Sequence, residues 1–540
     1  MELLSTSDSK DLVMGLDVST QSVKCGIFSA LNMTEVCCVM VNYQNDLPKY
    51  NTENGIHVHK DGNTVTSPTM MFVEAIELAL SRLKRKAPGA FEKVQAISAS
   101  GQQHGSVYWK RGAQDTLTTL DPSKSMKEQF DGIFVIEDSP IWMDSSTTKE
   151  CQELEERIGG AKELAKISGS RAYERFTGNQ IQKIYKTKPT EYEDCERISL
   201  ISSFVVSLFL GDYAPIDISD GSGMNLLDIS TKLWSKDLFT APGLADKLGV
   251  PVQSSYSCGD ISKYMQSRYG FAAGCKVIAG SGDNPCSLAG LMVSKRGDVC
   301  VSLGTSDTLF AVVENPSPGE QGHILCSPIH LDSYIAMLCF KNGSIVREKC
   351  KENFASSSWT RFSEILATSP PGNNGYFGFY YLEPEIIPKC RAVIRRIGST
   401  GIGWWRFDAT TEIRAVVESQ FLNMKMHAES IGINFVSRII ATGGASQNVE
   451  ILQVLSDVFG VPVFIADSGP QTAMTGAALR ALHGLLCHRA GKYVPFSDLA
   501  SVGPKFILKC KPKEEAREAY DMLMKRRHKA EVELLKTHSL

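Results

Sequence analysis

None of the fifteen cysteines stands in a Cys-x-x-Cys pair, which removes the usual metal-knuckle and dithiol readings. No apolar run reaches the ~20 residues that a membrane helix needs. The strongest candidate, residues 198–210, is too short, is interrupted by serines, and reads as a buried helix. Charge of neither sign dominates: 57 Lys and Arg face 60 Asp and Glu, a net charge of −3. That balance lacks the electrostatic footprint of a nucleic-acid binder. The dinucleotide fingerprint Gly-x-Gly-x-x-Gly is also missing. The N-terminus reads Met1-Glu-Leu-Leu-Ser-Thr-Ser-Asp without a basic and apolar leader, so a cytoplasmic protein with reduced thiols is expected. What remains is ordinary for a globular chain, with 43% apolar and 22% charged residues. At 540 residues it needs more than one core.

Two stretches share one design. Leu12-Val-Met-Gly-Leu-Asp-Val-Ser-Thr-Gln-Ser-Val-Lys-Cys-Gly-Ile-Phe28 reads as strand, polar turn, strand, and so does Val299-Cys-Val-Ser-Leu-Gly-Thr-Ser-Asp-Thr-Leu-Phe-Ala-Val313. Such turns offer backbone N–H groups and short hydroxyls to a phosphate. The first also places Asp17 where a carboxylate faces a metal ion. Their recurrence suggests a duplicated architecture.

Between and beyond them lie polar junctions. Ser67-Pro68 predicts a helix start, with serine as cap and proline in the first turn, followed by the apolar stripe Phe72, Ile76, Leu80 and Leu83. A strand over 94–100 runs into Gly101-Gln-Gln-His-Gly105, whose glycines permit a sharp turn that exposes three polar side chains. Arg171 and Arg175 would share a face if their stretch is helical. Asp217-Ile-Ser-Asp-Gly-Ser-Gly-Met-Asn225 is dense in turn residues. In Ile278-Ala-Gly-Ser-Gly-Asp-Asn-Pro285 a strand end meets a helix start, whose partial positive charge favours an ionised Asp283. Gly375-Tyr-Phe-Gly-Phe-Tyr-Tyr381 and Gly401-Ile-Gly-Trp-Trp405 are aromatic loops, read first as core. A long helix is predicted over 411–431. Thr442-Gly-Gly-Ala-Ser-Gln-Asn448 ends a strand in a turn where a planar base can lie against backbone. Gly469-Pro470 precedes the last core helix, and the charged tail 511–536 reads as a surface helix.

Together these motifs resemble the FGGY carbohydrate kinases. The residues carrying the likeness are Leu16-Asp-Val-Ser-Thr-Gln-Ser22, Ser100-Gly-Gln-Gln-His-Gly105, Arg171-Ala-Tyr-Glu-Arg-Phe-Thr-Gly-Asn-Gln180, Ser219-Asp-Gly-Ser-Gly-Met-Asn225, Gly282-Asp-Asn-Pro285, Ser302-Leu-Gly-Thr-Ser-Asp307 and Thr442-Gly-Gly-Ala-Ser-Gln-Asn448. The resemblance implies an α/β chain of two ribonuclease-H-like (actin-like ATPase) domains with the active site in the cleft between them. It implies an N-terminal, sugar-binding domain over 1–290, a C-terminal, nucleotide-binding domain over 291–505, and a charged helical tail over 506–540.

The implied activity is Mg²⁺- and ATP-dependent phosphorylation of D-xylulose. His104, Arg175, Asp283 and Asn284 would hold the ketopentose, with Asp283 as general base. Trp359, Gly443, Gly444 and Asn448 would hold adenosine. Thr20, Thr305 and Ser306 would face the phosphates, and Asp17 would reach Mg²⁺ through water. The implied partners are small molecules only, neither nucleic acid nor membrane, and the implied state is a monomer or homodimer. The chain departs from the family at Pro470-Gln-Thr-Ala-Met-Thr-Gly-Ala-Ala478, where many members carry an acidic residue. Two other readings stay open. A kinase for another ketose or polyol would keep the fold and change the pocket. A non-catalytic actin-like ATPase or sugar-binding protein would drop the base, and Asp283 argues against it.

Overall fold

A computed structural model of the chain describes residues 11–295, 297–402, 406–435, 437–467 and 471–539. Residues 403–405 of the second aromatic loop and Gly469-Pro470 lie outside them. The described residues form two units. One takes Met1–Ser294, Leu325–Ser333 and Gln471–Gly503; the other takes Lys295–Ile324, Tyr334–Pro470 and Pro504–Leu540.

The first unit is built on a sheet containing β1 (Leu12–Val18), β2 (Ser22–Ser29), β3 (Glu35–Asn42), β4 (Val94–Gly101), β5 (Ser257–Asp260) and β6 (Lys276–Ile278), in the order β3-β2-β1-β4-β6-β5. The pair β1–β2 is the expected hairpin, antiparallel with Asp17 opposite Lys24. β4 runs parallel to β1, and β6 parallel to β4. Every residue of β1 is buried, as a central strand covered on both faces requires. The helix Thr69–Lys86 covers this sheet with Phe72, Ile76, Leu80 and Leu83 in the core. Its start differs from the one expected. Val65–Pro68 is a strand, and the Ser67 hydroxyl donates to Gly55 O (2.8 Å) instead of capping. Strand pairing had the stronger claim on Ser67, which sits opposite Ser139.

The second unit repeats the plan. Its sheet contains β7 (Asp298–Leu303), β8 (Asp307–Val313), β9 (Tyr334–Phe340), β10 (Arg438–Thr442), β11 (Val463–Ala466) and β12 (Phe506–Cys510), ordered β9-β8-β7-β10-β11-β12. The pairing senses match those of the first sheet position by position: antiparallel, antiparallel, parallel, parallel, antiparallel. The duplication inferred from two hairpins extends to whole sheets. The edge strand differs in origin: β5 precedes its neighbour β6 in the chain, whereas β12 follows β11.

The units are not the contiguous segments 1–290, 291–505 and 506–540 that the sequence led us to expect. The helix Thr472–Ala490 returns to the first unit. Small residues make its seat. A β-carbon on Gly476 would lie 1.8 Å from Cys286 O, one on Gly290 2.2 Å from Thr472 O, and one on Gly15 2.2 Å from Met474 O. Its Arg480 is buried and paired with Asp217 (3.4 Å). The tail helix Ala516–His538 is part of the second unit and is more than a surface element. Tyr520, Leu523, Arg527, Glu531 and Leu534 are buried, and the Arg527 guanidinium lies 4.4 Å from the Phe379 ring centroid. The fifteen cysteines are all free thiols, none of them exposed. No helix among the described residues is long and apolar enough to cross a membrane.

Candidate active site

In the first unit, the ends of β1 and β4 gather the polar residues. Asp17 is 3% exposed and both its oxygens are engaged: Oδ2 accepts from Ser19 Oγ (2.6 Å) and Lys24 Nζ (3.3 Å), and Oδ1 accepts from Ser100 Oγ (3.2 Å). Lys24 and Ser100 stand in the motif stretches, but neither is expected from the sequence to hold Asp17. The hairpin register that pairs Asp17 with Lys24 was the available signal. The Thr20 hydroxyl accepts from the Trp142 indole N–H (2.9 Å).

His104 is buried, and its own backbone takes the left-handed conformation (φ +69°). The turn therefore strains a histidine rather than using the flanking glycines, as functional loops often do. Gly101 and Gly105 serve close packing instead, since a β-carbon on either would strike the helix Ile201–Leu210. The His104 ring stacks on Phe176 (centroids 4.5 Å apart, 22° between planes). Its Nδ1 donates to Gly223 O (2.9 Å), so the neutral ring leaves Nε2 as an acceptor. Burial first, then the Arg175 charge, pushes its pKa down to about 3.

Arg175 lies beside that stack, its guanidinium 4.8 Å from the Tyr173 centroid and 5.7 Å from that of Phe176. Arg171 pairs instead with Glu155 (3.2 Å). The shared helical face considered for these arginines does not form. Residues 171–176 are a loop, and the next helix is Thr177–Thr187.

Asp283 opens the helix Asp283–Gly290. Its Oδ1 accepts from the N–H groups of Asn284 (2.9 Å) and Gln103 (3.4 Å). The helix-start N–H groups favour its ionised form, as expected, but they are not the largest influence on it. Burial and then the Asp17 charge outweigh these N–H groups and push its pKa up to about 6. At neutral pH the carboxyl is still mostly ionised, yet it takes a proton far more readily than an ordinary aspartate. Asn284 Nδ2 donates to Gln103 Oε1 (2.8 Å).

In the second unit, Thr305, Trp359, Gly444 and Asn448 line one cavity of about 860 Å³. Ser306 is exposed in the same β7–β8 turn. The turn is anchored from beneath. Arg347 is fully buried and grips Asp307 with two hydrogen bonds (2.7 and 2.8 Å), and Ser344 N–H donates to Gly304 O (2.9 Å). Gly443 and Gly444 divide the labour. Gly443 (φ +82°) packs so that a β-carbon would lie 2.5 Å from Leu303 O, whereas a β-carbon on Gly444 meets nothing within 4 Å. Asn448 caps its helix through Ile451 N–H (3.2 Å) and donates to Ser363 Oγ (2.8 Å). Lys351 Nζ stands 4.8 Å from the Trp359 ring centroid. Arg347 and Ser363 carried no motif and were not foreseen.

Comparison with known proteins places this arrangement. Residues 135–290 match the N-terminal domain, and residues 299–485 the C-terminal domain, of the FGGY family of carbohydrate kinases. The chain is 47% identical to a xylulose kinase of Rattus norvegicus over 97% of both chains. It is 44% identical to xylulose kinase 2 of Arabidopsis thaliana, again over 97% of each. A crystal structure of xylulose kinase from Rhodospirillum rubrum superposes with a TM-score of 0.79 at 16% identity, covering 97% of this chain and 99% of that one, and so bears on the fold. With both domain models matched and near-full-length relatives at this identity, the chain belongs to the FGGY family of carbohydrate kinases.

Proposed function

We propose that the chain transfers the γ-phosphoryl group of ATP to the C5 hydroxyl of D-xylulose, giving D-xylulose 5-phosphate and ADP. The observation that carries the reading is Asp283: a partly buried carboxylate with a raised pKa that accepts from the backbone N–H of Gln103, the residue before His104, in a chain this similar to xylulose kinases. In this reading the first unit binds sugar and the second binds nucleotide.

Asp283 accepts the proton of the attacking hydroxyl as its oxygen bonds to the γ-phosphorus and the bond to ADP breaks. The Nε2 of His104 accepts from a sugar hydroxyl, while Arg175 and Asn284 donate to sugar oxygens. Thr20, Thr305 and Ser306 with their turn N–H groups face the phosphates, and charge developing there is offset by these donors. Adenosine lies in the cavity floored by Gly444, whose neighbour Gly443 shapes the turn, with Trp359 and Asn448 at its walls.

The residues fit a hydrated Mg²⁺. Asp17 adds a second carboxylate charge near Asp283, but its oxygens are already shared with Ser19, Lys24 and Ser100. Contact through water is therefore favoured over direct ligation. When bound, the ion would neutralise phosphate charge. We place the enzyme in the cytoplasm, as a monomer or homodimer.

The test is sugar-dependent ATP consumption with D-xylulose, D-ribulose, L-ribulose, gluconate and glycerol. D-xylulose should give the highest kcat/KM. A panel led by glycerol or gluconate would overturn the substrate and keep the kinase. No sugar-dependent consumption would overturn both.

A further inference from the structure

Behind Asp283 lies a second buried acidic group that the reaction as described does not use. Asp217 and Asp220 sit in the short helical turn Ile218–Gly221 and its cap, both at most 2% exposed. Asp217 is fully provided for. It pairs with Arg480 and accepts from Ser281 Oγ (3.1 Å), Ser254 Oγ and the Asp220 N–H (2.8 Å). Asp220 is not. Its Oδ2 accepts from Ser202 Oγ (2.6 Å), but its Oδ1 is buried with no hydrogen-bond partner.

One complementary group is orphaned beside it. Gln103 is 3% exposed, and its Nε2 also has no partner. Both face the α-carbon of Gly282. A β-carbon there would lie 2.2 Å from Gln103 Cγ and 2.7 Å from Asp220 Oδ1. Glycine at 282 thus lets the amide and the carboxyl lie side by side, immediately before Asp283 in the chain. The other end of the Gln103 amide is committed: Oε1 accepts from Asn284 Nδ2, and the Gln103 backbone N–H donates to Asp283.

We propose that Asp220 is a positioning residue for phosphoryl transfer: by accepting from Gln103 Nε2 it fixes which end of that amide faces Asn284, and so orients Asn284 and Asp283 toward the sugar. An amide without such a partner flips at little cost, because its two ends have nearly the same shape. A flipped Gln103 would turn a donor toward Asn284 Nδ2, forcing Asn284 to present the opposite group to the sugar. The proposal rests on the reading of Asp283 and Asn284 as the sugar end of the site.

The test is an exchange of the two groups. Gln103→Glu places a carboxylate against Asp220 and Asp283, where two acceptors face each other. Adding Asp220→Asn restores a donor: the introduced amide donates to one oxygen of the introduced carboxylate, while the other oxygen still accepts from Asn284. We expect Gln103→Glu to lower kcat/KM for D-xylulose by roughly 100-fold, with KM for ATP little changed. The double variant should recover at least ~10-fold over Gln103→Glu, against a further loss if the sites act independently. The melting midpoint should fall and recover in the same order. If Gln103→Glu does not fold, recovery of folded protein by the second change reads the same coupling. A double variant no better than Gln103→Glu, in activity or in folding, overturns the proposal. Asp283→Asn is assayed alongside. If it retains full turnover the underlying site reading fails; if it is inactive and no rescue occurs, only the role of Asp220 fails.

Discussion

The ring of His104 lies stacked on that of Phe176, with centroids 4.5 Å apart, and a backbone carbonyl holds its Nδ1. Burial there keeps the imidazole neutral, with its pKa pushed down to about 3 from the usual 6.5. A histidine of this kind binds a proton more readily when unfolded, so stability it contributes is full above about pH 6.5 and is lost as pH falls toward 3. The slope is up to ~1.4 kcal/mol per pH unit for one proton. Urea midpoints measured from pH 7 to pH 4 should fall more steeply for the wild type than for His104→Gln. Equal slopes would show that His104 is not held neutral.

Arg171 and Arg175 give a paired prediction. Arg171 is spent on Glu155, whereas Arg175 sits against the Tyr173 and Phe176 rings beside His104. Arg175→Ala should raise KM for D-xylulose by roughly tenfold or more, the usual loss on removing a charged hydrogen-bonding partner. Arg171→Ala should leave it within about twofold. The reverse order, read from steady-state kinetics, would move the sugar contact to Arg171.

The two adjacent glycines Gly443 and Gly444 should separate folding from the proposed nucleotide binding. Gly443→Ala forces a side chain onto the Leu303 carbonyl at a positive φ and should lower the melting midpoint. Gly444→Val meets open space, so it should melt near wild type and raise KM for ATP more than KM for sugar. Equal stability losses in both variants would contradict this division.

Arg347 and Asp307 form a buried ion pair under the β7–β8 turn. Arg347→Met leaves the Asp307 charge unpaired and should cost about 3–5 kcal/mol of stability to the second unit. The surviving protein should show a raised KM for ATP with sugar affinity retained. An unchanged denaturation profile would mean that the pair contributes little.

Much of this was legible in the sequence because it is local. Apolar runs broken by a short polar turn announce the hairpins around Asp17 and Asp307, and a Gly-Gly turn announces Gly443 and Gly444. What escaped depends on contacts between distant segments. The return of Thr472–Ala490 to the first unit follows from the fit of Gly476 against Cys286, which no local pattern encodes. The raised pKa of Asp283 follows from burial and from Asp17, far away in the chain, overriding its local helix start. Ser67 failed as a cap because a strand partner claimed its backbone, and Arg171 left Arg175 because Glu155 claimed it.

The central claim is that Asp283 takes the proton of the sugar hydroxyl. Asp283→Asn keeps the shape of the side chain and removes the base. Single-turnover phosphorylation of D-xylulose at pH 7.5 (a value chosen about 1.5 units above the Asp283 pKa) measures that step directly. The account predicts a rate lower by roughly 10²–10⁴-fold, with ATP affinity by calorimetry little changed. A near-normal rate with intact ATP binding would contradict it.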